Sequence, residues 1–125
     1  MPDLDYSFTE AQPNIEVVVG DLRDRSGLAQ ACRGVEWAVY LAAIMPPLSE
    51  ENRDLAYSVN VEGTLWLIEA LPSLHTPLVF ASSVATYGVP KTDVVDVNHP
   101  QESIDFYGET KLQNERDIRN IWLRQ

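Results

Sequence analysis

LVFASSVATYG, residues 78–88, decides how the chain is read. Leu78, Val79 and Phe80 form a short apolar run that passes directly into Ser82 and Ser83, so a strand here ends on two hydroxyl groups. Two earlier runs have the same character. IEVVVG, residues 15–20, is β-branched and stops at Gly20, and EWAVYLAA, residues 36–43, stops at two alanines. Runs of this kind fit strands buried on both faces, as in a parallel sheet covered by helices.

Helical signals separate them. Residues 25–33 place Leu28, Ala31 and Cys32 on one face, with Gly34 just beyond. After the break at Pro46 and Pro47, Ser49 is the expected N-cap, followed by Glu50 and Glu51 in a first turn. Val61, Leu65 and Ile68 continue at helical spacing, with a break expected near Tyr57, until Pro72 ends the region after Leu71. A last helix is predicted from Ser103 to about Leu123, with Ile118, Ile121 and Trp122 on its apolar side. Residues 84–103 carry no period and are long for a loop, which hints at function. Strand and helix thus alternate, predicting an α/β domain with a parallel sheet of about three strands. Ligands in such sheets lie at the carboxyl ends of the strands, where Asp21, Ala42, Ala43, Ser82 and Ser83 fall.

The 125 residues suit at most one domain, read as a loose arm over 1–13 and a folded part over 14–125. With 19 acidic and 9 basic residues the net charge is −10, which repels phosphate backbones and anionic lipid, so nucleic acid is not an expected partner. No apolar run has the length of a membrane span and the first residues lack the pattern of a signal peptide, so a cytosolic, cytoplasmic protein is expected. The single Cys32 reads as a buried structural thiol, and no Cys or His stands at metal-ligand spacing.

The chemistry centres on YGETK, residues 107–111. Tyr107 and Lys111 are four apart on a predicted helix and share a face. A nearby ammonium favours the phenolate, which lets a tyrosine exchange a proton with a substrate hydroxyl near neutral pH. Alone, such a pair is more often a solvated surface pair, and such serines more often a turn. GDLRD, YLAA, VNVEGT, FASSVATYG and YGETK, however, follow one another at spacings that suit successive turns of one sheet.

Together these motifs, from about Asn14 to Ile121, resemble the extended short-chain dehydrogenases/reductases, the NAD-dependent epimerase/dehydratase family typified by UDP-glucose 4-epimerase. The resemblance implies a partial Rossmann-like fold that binds NAD or NADP and acts on a sugar nucleotide or related alcohol or ketone. It implies that Asp21 accepts from the adenine amino group, Leu22 packs beside the ring, and Leu41, Ala42 and Ala43 line the cofactor path. Asn60 would brace the active-site helix and sheet. Ser83 would hydrogen-bond the reacting oxygen, with Ser82 supporting the strand end. Tyr107 would be the general acid/base, and Lys111 would tune it and hold the nicotinamide ribose. Homodimerisation through the last two helices is also implied, with exposed Ile121 and Trp122 as its footprint.

The chain departs from the family in two places. The opening strand and GxxGxxG turn that hold the pyrophosphate are absent, since the glycines at 20, 27, 34, 63, 88 and 108 have no such spacing. In the order 3-2-1-4-5-6 the missing strands would lie between IEVVVG and EWAVYLAA. Either those two runs pair directly, another chain fills the gap, or the polypeptide is a piece of a longer enzyme. The substrate domain that follows in the family is absent as well. The expectation is an incomplete chain that is inactive in isolation, and the alternative is a non-catalytic remnant serving as an interaction domain.

Overall fold

The computed structural model describes residue 7 and residues 12–123, so nearly all of the expected arm lies outside the described residues. Helix α1 spans Arg25–Ala31. Asp24 caps it, its side chain accepting from the N–H groups of Ser26 at 3.1 Å and Gly27 at 3.0 Å. Gly34, with φ of 71°, turns the chain back where an L side chain would be strained. Strand β1 is Ala38–Tyr40. Two short helices follow, α2 at Leu48–Glu51 and α3 at Arg53–Tyr57, then a π-helical segment at Ser58–Glu62 that runs into α4 at Gly63–Ala70. Leu71 is already extended, as the residue before a proline tends to be. Strand β2 is Leu78–Phe80, a 3₁₀ turn occupies Val84–Thr86, and α5 runs Phe106–Leu123.

The fold is α/β, with β1 and β2 parallel and Ala38, Val39 and Tyr40 opposite Leu78, Val79 and Phe80. The sheet of the described residues has two strands, not three. IEVVVG joins no ladder and leaves Val19 72 % exposed. Its apolar character fits burial, but a strand also needs a neighbour on its edge, and neither β1 nor β2 provides one. The two strands are covered on one face only. Tyr40 and Phe80 stack at 6.0 Å between ring centroids, under Thr64 of α4 and Lys111 of α5, whereas Val39 and Val79 point out and are exposed.

Two further expectations change. Ser49 is not an N-cap; it is fully buried inside α2, which begins after Pro47. Ile121 and Trp122 are half-buried, so the footprint named for a homodimer is not an exposed patch. Cys32 is buried, as read, and burial pushes its thiol pKa up.

The interior is unusually polar. Beside Tyr40, Ala56, Val61, Ile68 and Leu112 it holds Asn60, Thr64, Thr110, Lys111 and Asn114. Asn60, turned inward by the π-helical segment, accepts from the Ile44 N–H at 2.7 Å and donates to the Ile44 carbonyl at 3.0 Å and to Thr110 Oγ1 at 3.2 Å. Its own carbonyl accepts from Thr64 Oγ1 at 2.5 Å and Asn114 Nδ2 at 2.8 Å. One amide thereby joins the loop after β1, the π-helical segment and α5. Asn60→Ala strands both Ile44 backbone groups and is expected to destabilise the chain by about 2–4 kcal/mol in urea unfolding; a change under about 0.5 kcal/mol would contradict this.

Gly108 sets how closely α5 approaches the 3₁₀ turn, since a Cβ there would lie 2.5 Å from the Ala85 carbonyl oxygen and 2.2 Å from Ser103 Oγ. An alanine in a helix interior ordinarily stabilises relative to glycine by about 0.5–1 kcal/mol. Here Gly108→Ala is expected to lower the thermal midpoint instead, because a backbone carbonyl cannot move aside cheaply.

Candidate active site

Lys111 is the side chain around which the candidate site is built. It projects from α5 toward the carboxyl end of β2 and is only 2 % exposed. Its Nζ donates to the Ala81 carbonyl at 2.8 Å and lies 4.7 Å from the Phe80 ring centroid and 5.7 Å from that of Tyr107. A solvated surface pair is therefore not what forms. Desolvation lowers the lysine pKa, so the ammonium is held in a place that penalises its charge. Among the described residues Ala81 is the one acceptor it meets, although an ammonium carries three donors. Two donors remain for something else.

Ser83 follows two residues after Ala81, where β2 ends. Its backbone is extended, and its Oγ accepts from the Ala85 N–H at 3.2 Å, capping the 3₁₀ turn. Ser82 instead hydrogen-bonds Glu115 of α5, whose other oxygen accepts from Gln101 Nε2 at 2.9 Å. Tyr107 is half-buried in the first turn of α5. The close approach of Gly108 to Ala85 brings that turn against the one Ser83 caps. Ser83, Tyr107 and Lys111 thus belong to one end of the β2–α5 unit.

The other expected residues divide between two places. Asp21, Leu22 and Ala42 line a cleft of about 310 Å³ that also takes in Val18, Val19 and Gly20, so the unpaired IEVVVG run forms one of its walls. Leu22 packs on α4, its Cβ 3.0 Å from where a side chain on Gly63 would begin. Asp21 is held by Arg23, whose Nη2 donates to Oδ2 at 2.6 Å and Nε to Oδ1 at 3.0 Å. Those side-chain hydrogen bonds, with one from the Arg23 N–H, hold its carboxyl at about 2. Leu41, 70 % exposed, and half-buried Ala43 lie outside this cleft, while Asn60 is occupied by Ile44 and Thr110.

Glu50 escaped the sequence reading. It has the look of an ordinary acid in a first turn, but its carboxylate reaches the start of α5, accepting from the N–H groups of Phe106 at 3.2 Å and Tyr107 at 3.1 Å. Nothing local signals a partner 56 residues away. Among the described residues no group of three His, Cys, Asp or Glu could hold a metal ion, and no helix is long and apolar enough to cross a membrane.

Known proteins resemble this chain in sequence and in fold. The N-acetyl-alpha-D-glucosaminyl-diphospho-ditrans,octacis-undecaprenol 4-epimerase of Escherichia coli O157:H7 is 36 % identical over 124 residues, covering 94 % of this chain and 35 % of that protein. The sterol-4-alpha-carboxylate 3-dehydrogenase, decarboxylating, of Homo sapiens is 34 % identical over 110 residues, covering 85 % of this chain and 29 % of that one. Among solved structures, UDP-glucose 4-epimerase from Brucella ovis in complex with NAD superposes with a TM-score of 0.79 at 30 % identity, covering 87 % of this chain and 35 % of that one. The chain spans about a third of the length of the curated relatives it matches. The resemblance drawn from the motifs holds: with the model of the 3-beta hydroxysteroid dehydrogenase/isomerase family matching residues 3–120, the chain belongs to that family.

Proposed function

We propose that this chain is the proton-transfer half of an NAD(P)-dependent oxidoreductase of the epimerase/dehydratase type. Its substrate would be a secondary alcohol or the matching ketone, such as a sugar nucleotide. The observation that carries this reading is Lys111, a buried ammonium beside the Tyr107 ring with a single acceptor among the described residues. A lysine in that position has donors left for a pair of ribose hydroxyls. Tyr107 then takes the proton from the substrate hydroxyl, or returns it, while Ser83 Oγ donates to the same oxygen. A bound nicotinamide supplies the hydride acceptor.

The residues present fit the adenosine and ribose ends of such a cofactor. The Asp21 cleft offers an ionised carboxylate, and Lys111 offers a partly satisfied cation. The pyrophosphate cradle has no counterpart among these residues, since no GxxGxxG occurs in them. Turnover is accordingly assigned to a longer protein that carries that turn. The relatives act, by their names, on a lipid-linked sugar, a sterol and a nucleotide sugar, which share a ring carbon that bears a hydroxyl.

In a protein that carries the glycine-rich turn, Tyr107→Phe is expected to abolish turnover while leaving dinucleotide binding; retained turnover would remove Tyr107 from the mechanism. The 125 residues alone are expected to bind NADH weakly or not at all, and a tight complex in a fluorescence titration would contradict the need for the absent turn. The depressed pKa of Asp21 gives a third expectation. Its ion pair stabilises above the unfolded carboxyl range near 3.8 and is lost as pH falls through about 2. With the carboxylate side chain 41 % exposed, the effect on overall stability is small. A ¹³C carboxyl titration should place Asp21 near 2 and move it upward in Arg23→Ala; an unchanged midpoint in that variant would show that Arg23 is not the cause.

A further inference from the structure

We propose that Glu50 is a positioning residue for Tyr107, acting through the backbone of α5; this rests on the role given to Tyr107 above. The first N–H groups of any helix lack intrahelical acceptors. In α5 those of Phe106, Tyr107 and Gly108 are shared between two carboxylates. Asp105, just before the helix, accepts from the Gly108 N–H with its side chain at 2.6 Å, while its carbonyl takes the Glu109 N–H at 3.1 Å as the first intrahelical bond. The remaining two are taken by Glu50, one oxygen each: Oε2 by Phe106 and Oε1 by Tyr107.

Glu50 is itself fixed. Ser49 Oγ donates to Oε1 at 3.2 Å, and Arg53 Nη2 lies 3.7 Å from Oε2 while its guanidinium covers the Phe106 ring at 5.0 Å. Desolvation raises the Glu50 pKa, but the N–H groups of Phe106 and Tyr107, with Ser49 and Arg53, outweigh it, so the carboxylate is held ionised.

The consequence follows from helix geometry. Tyr107 and Lys111 share a face only if the backbone from 107 to 111 is helical, and the first turn is where helices fray. Lys111 is anchored by Ala81, whereas Tyr107 depends on that turn. Freed from Glu50, the phenol loses its fixed relation to the ammonium while the ammonium stays in place.

Amide hydrogen exchange on the chain, with turnover measured on the protein that carries the dinucleotide turn, tests this. Glu50→Ala is expected to speed exchange at Phe106 and Tyr107 about tenfold or more without changing Leu112. It should lower kcat by about 10- to 100-fold, as a misplaced reacting group does, while KM for the dinucleotide stays within about twofold. Glu50→Gln keeps one acceptor oxygen and should be intermediate in both. Unchanged exchange at the two amides overturns the clamp. Faster exchange with unchanged kcat, in a protein that Tyr107→Phe inactivates, overturns the positioning role and leaves the function standing. Full turnover of Tyr107→Phe removes the function itself, and this proposal with it. If Glu50→Ala unfolds the chain, Glu50→Gln decides alone: wild-type exchange or wild-type kcat in that variant overturns the proposal.

Discussion

Burying an ammonium among apolar side chains is unfavourable, and the region around α5 is organised so that Lys111 can be buried. The hydrogen bond from Nζ to the Ala81 carbonyl returns part of the lost hydration, and the faces of Phe80 and Tyr107 supply weaker electrostatic attraction. That carbonyl is itself fixed, because the Ala81 N–H donates to the Tyr40 carbonyl at 3.1 Å and so continues the pairing of β1 and β2 by one residue. The lysine thereby ties α5 to the carboxyl end of the sheet. It also leaves a partly satisfied cation there.

The second organising element is the Asn60 amide. Two strands of three residues each form too small a sheet to orient three helices by packing alone. Hydrogen bonds therefore carry part of the task, from Asn60 to Ile44 after β1 and to Thr110 one residue before Lys111. The π-helical segment explains how a polar residue on a helical stretch comes to face inward, and such segments are frequent at functional sites. Glu50 completes the arrangement from outside, through the backbone of the turn that bears Tyr107.

What could be read in the sequence was set by short-range chemistry. The Tyr107–Lys111 spacing, the helix end before Pro72, the strands inside EWAVYLAA and LVFASS and the turn at Gly34 all depend on neighbours a few residues away. IEVVVG shows the limit of that information: β-branched residues favour strand conformation, but a ladder needs a second chain segment that local pattern cannot supply. Ser49 had the residue type of a cap and became a buried hydroxyl because α2 begins after Pro47. The long-range contacts of Glu50 and Glu115 were illegible for the same reason, whereas the bracing by Asn60 was expected from family resemblance alone. The placement of Asp21 with Leu22 and Ala42 was expected from family resemblance, not from their residue types, which a plain turn and a plain core would explain as well.

The burial of Lys111 beside Tyr107 is the claim on which the functional reading rests most heavily. Because desolvation lowers its pKa, the charged form carries a penalty in the folded state that is full below the folded pKa and relieved as pH rises toward the ordinary lysine value. Titration of the lysine side-chain nitrogens by ¹⁵N NMR, with Lys111→Met to assign the signal, measures this directly. A midpoint below the ordinary lysine value, with slow exchange of the Nζ protons, is the predicted result. A Lys111 midpoint at or above the ordinary lysine value, with protons exchanging as fast as those of an exposed amine, would contradict it.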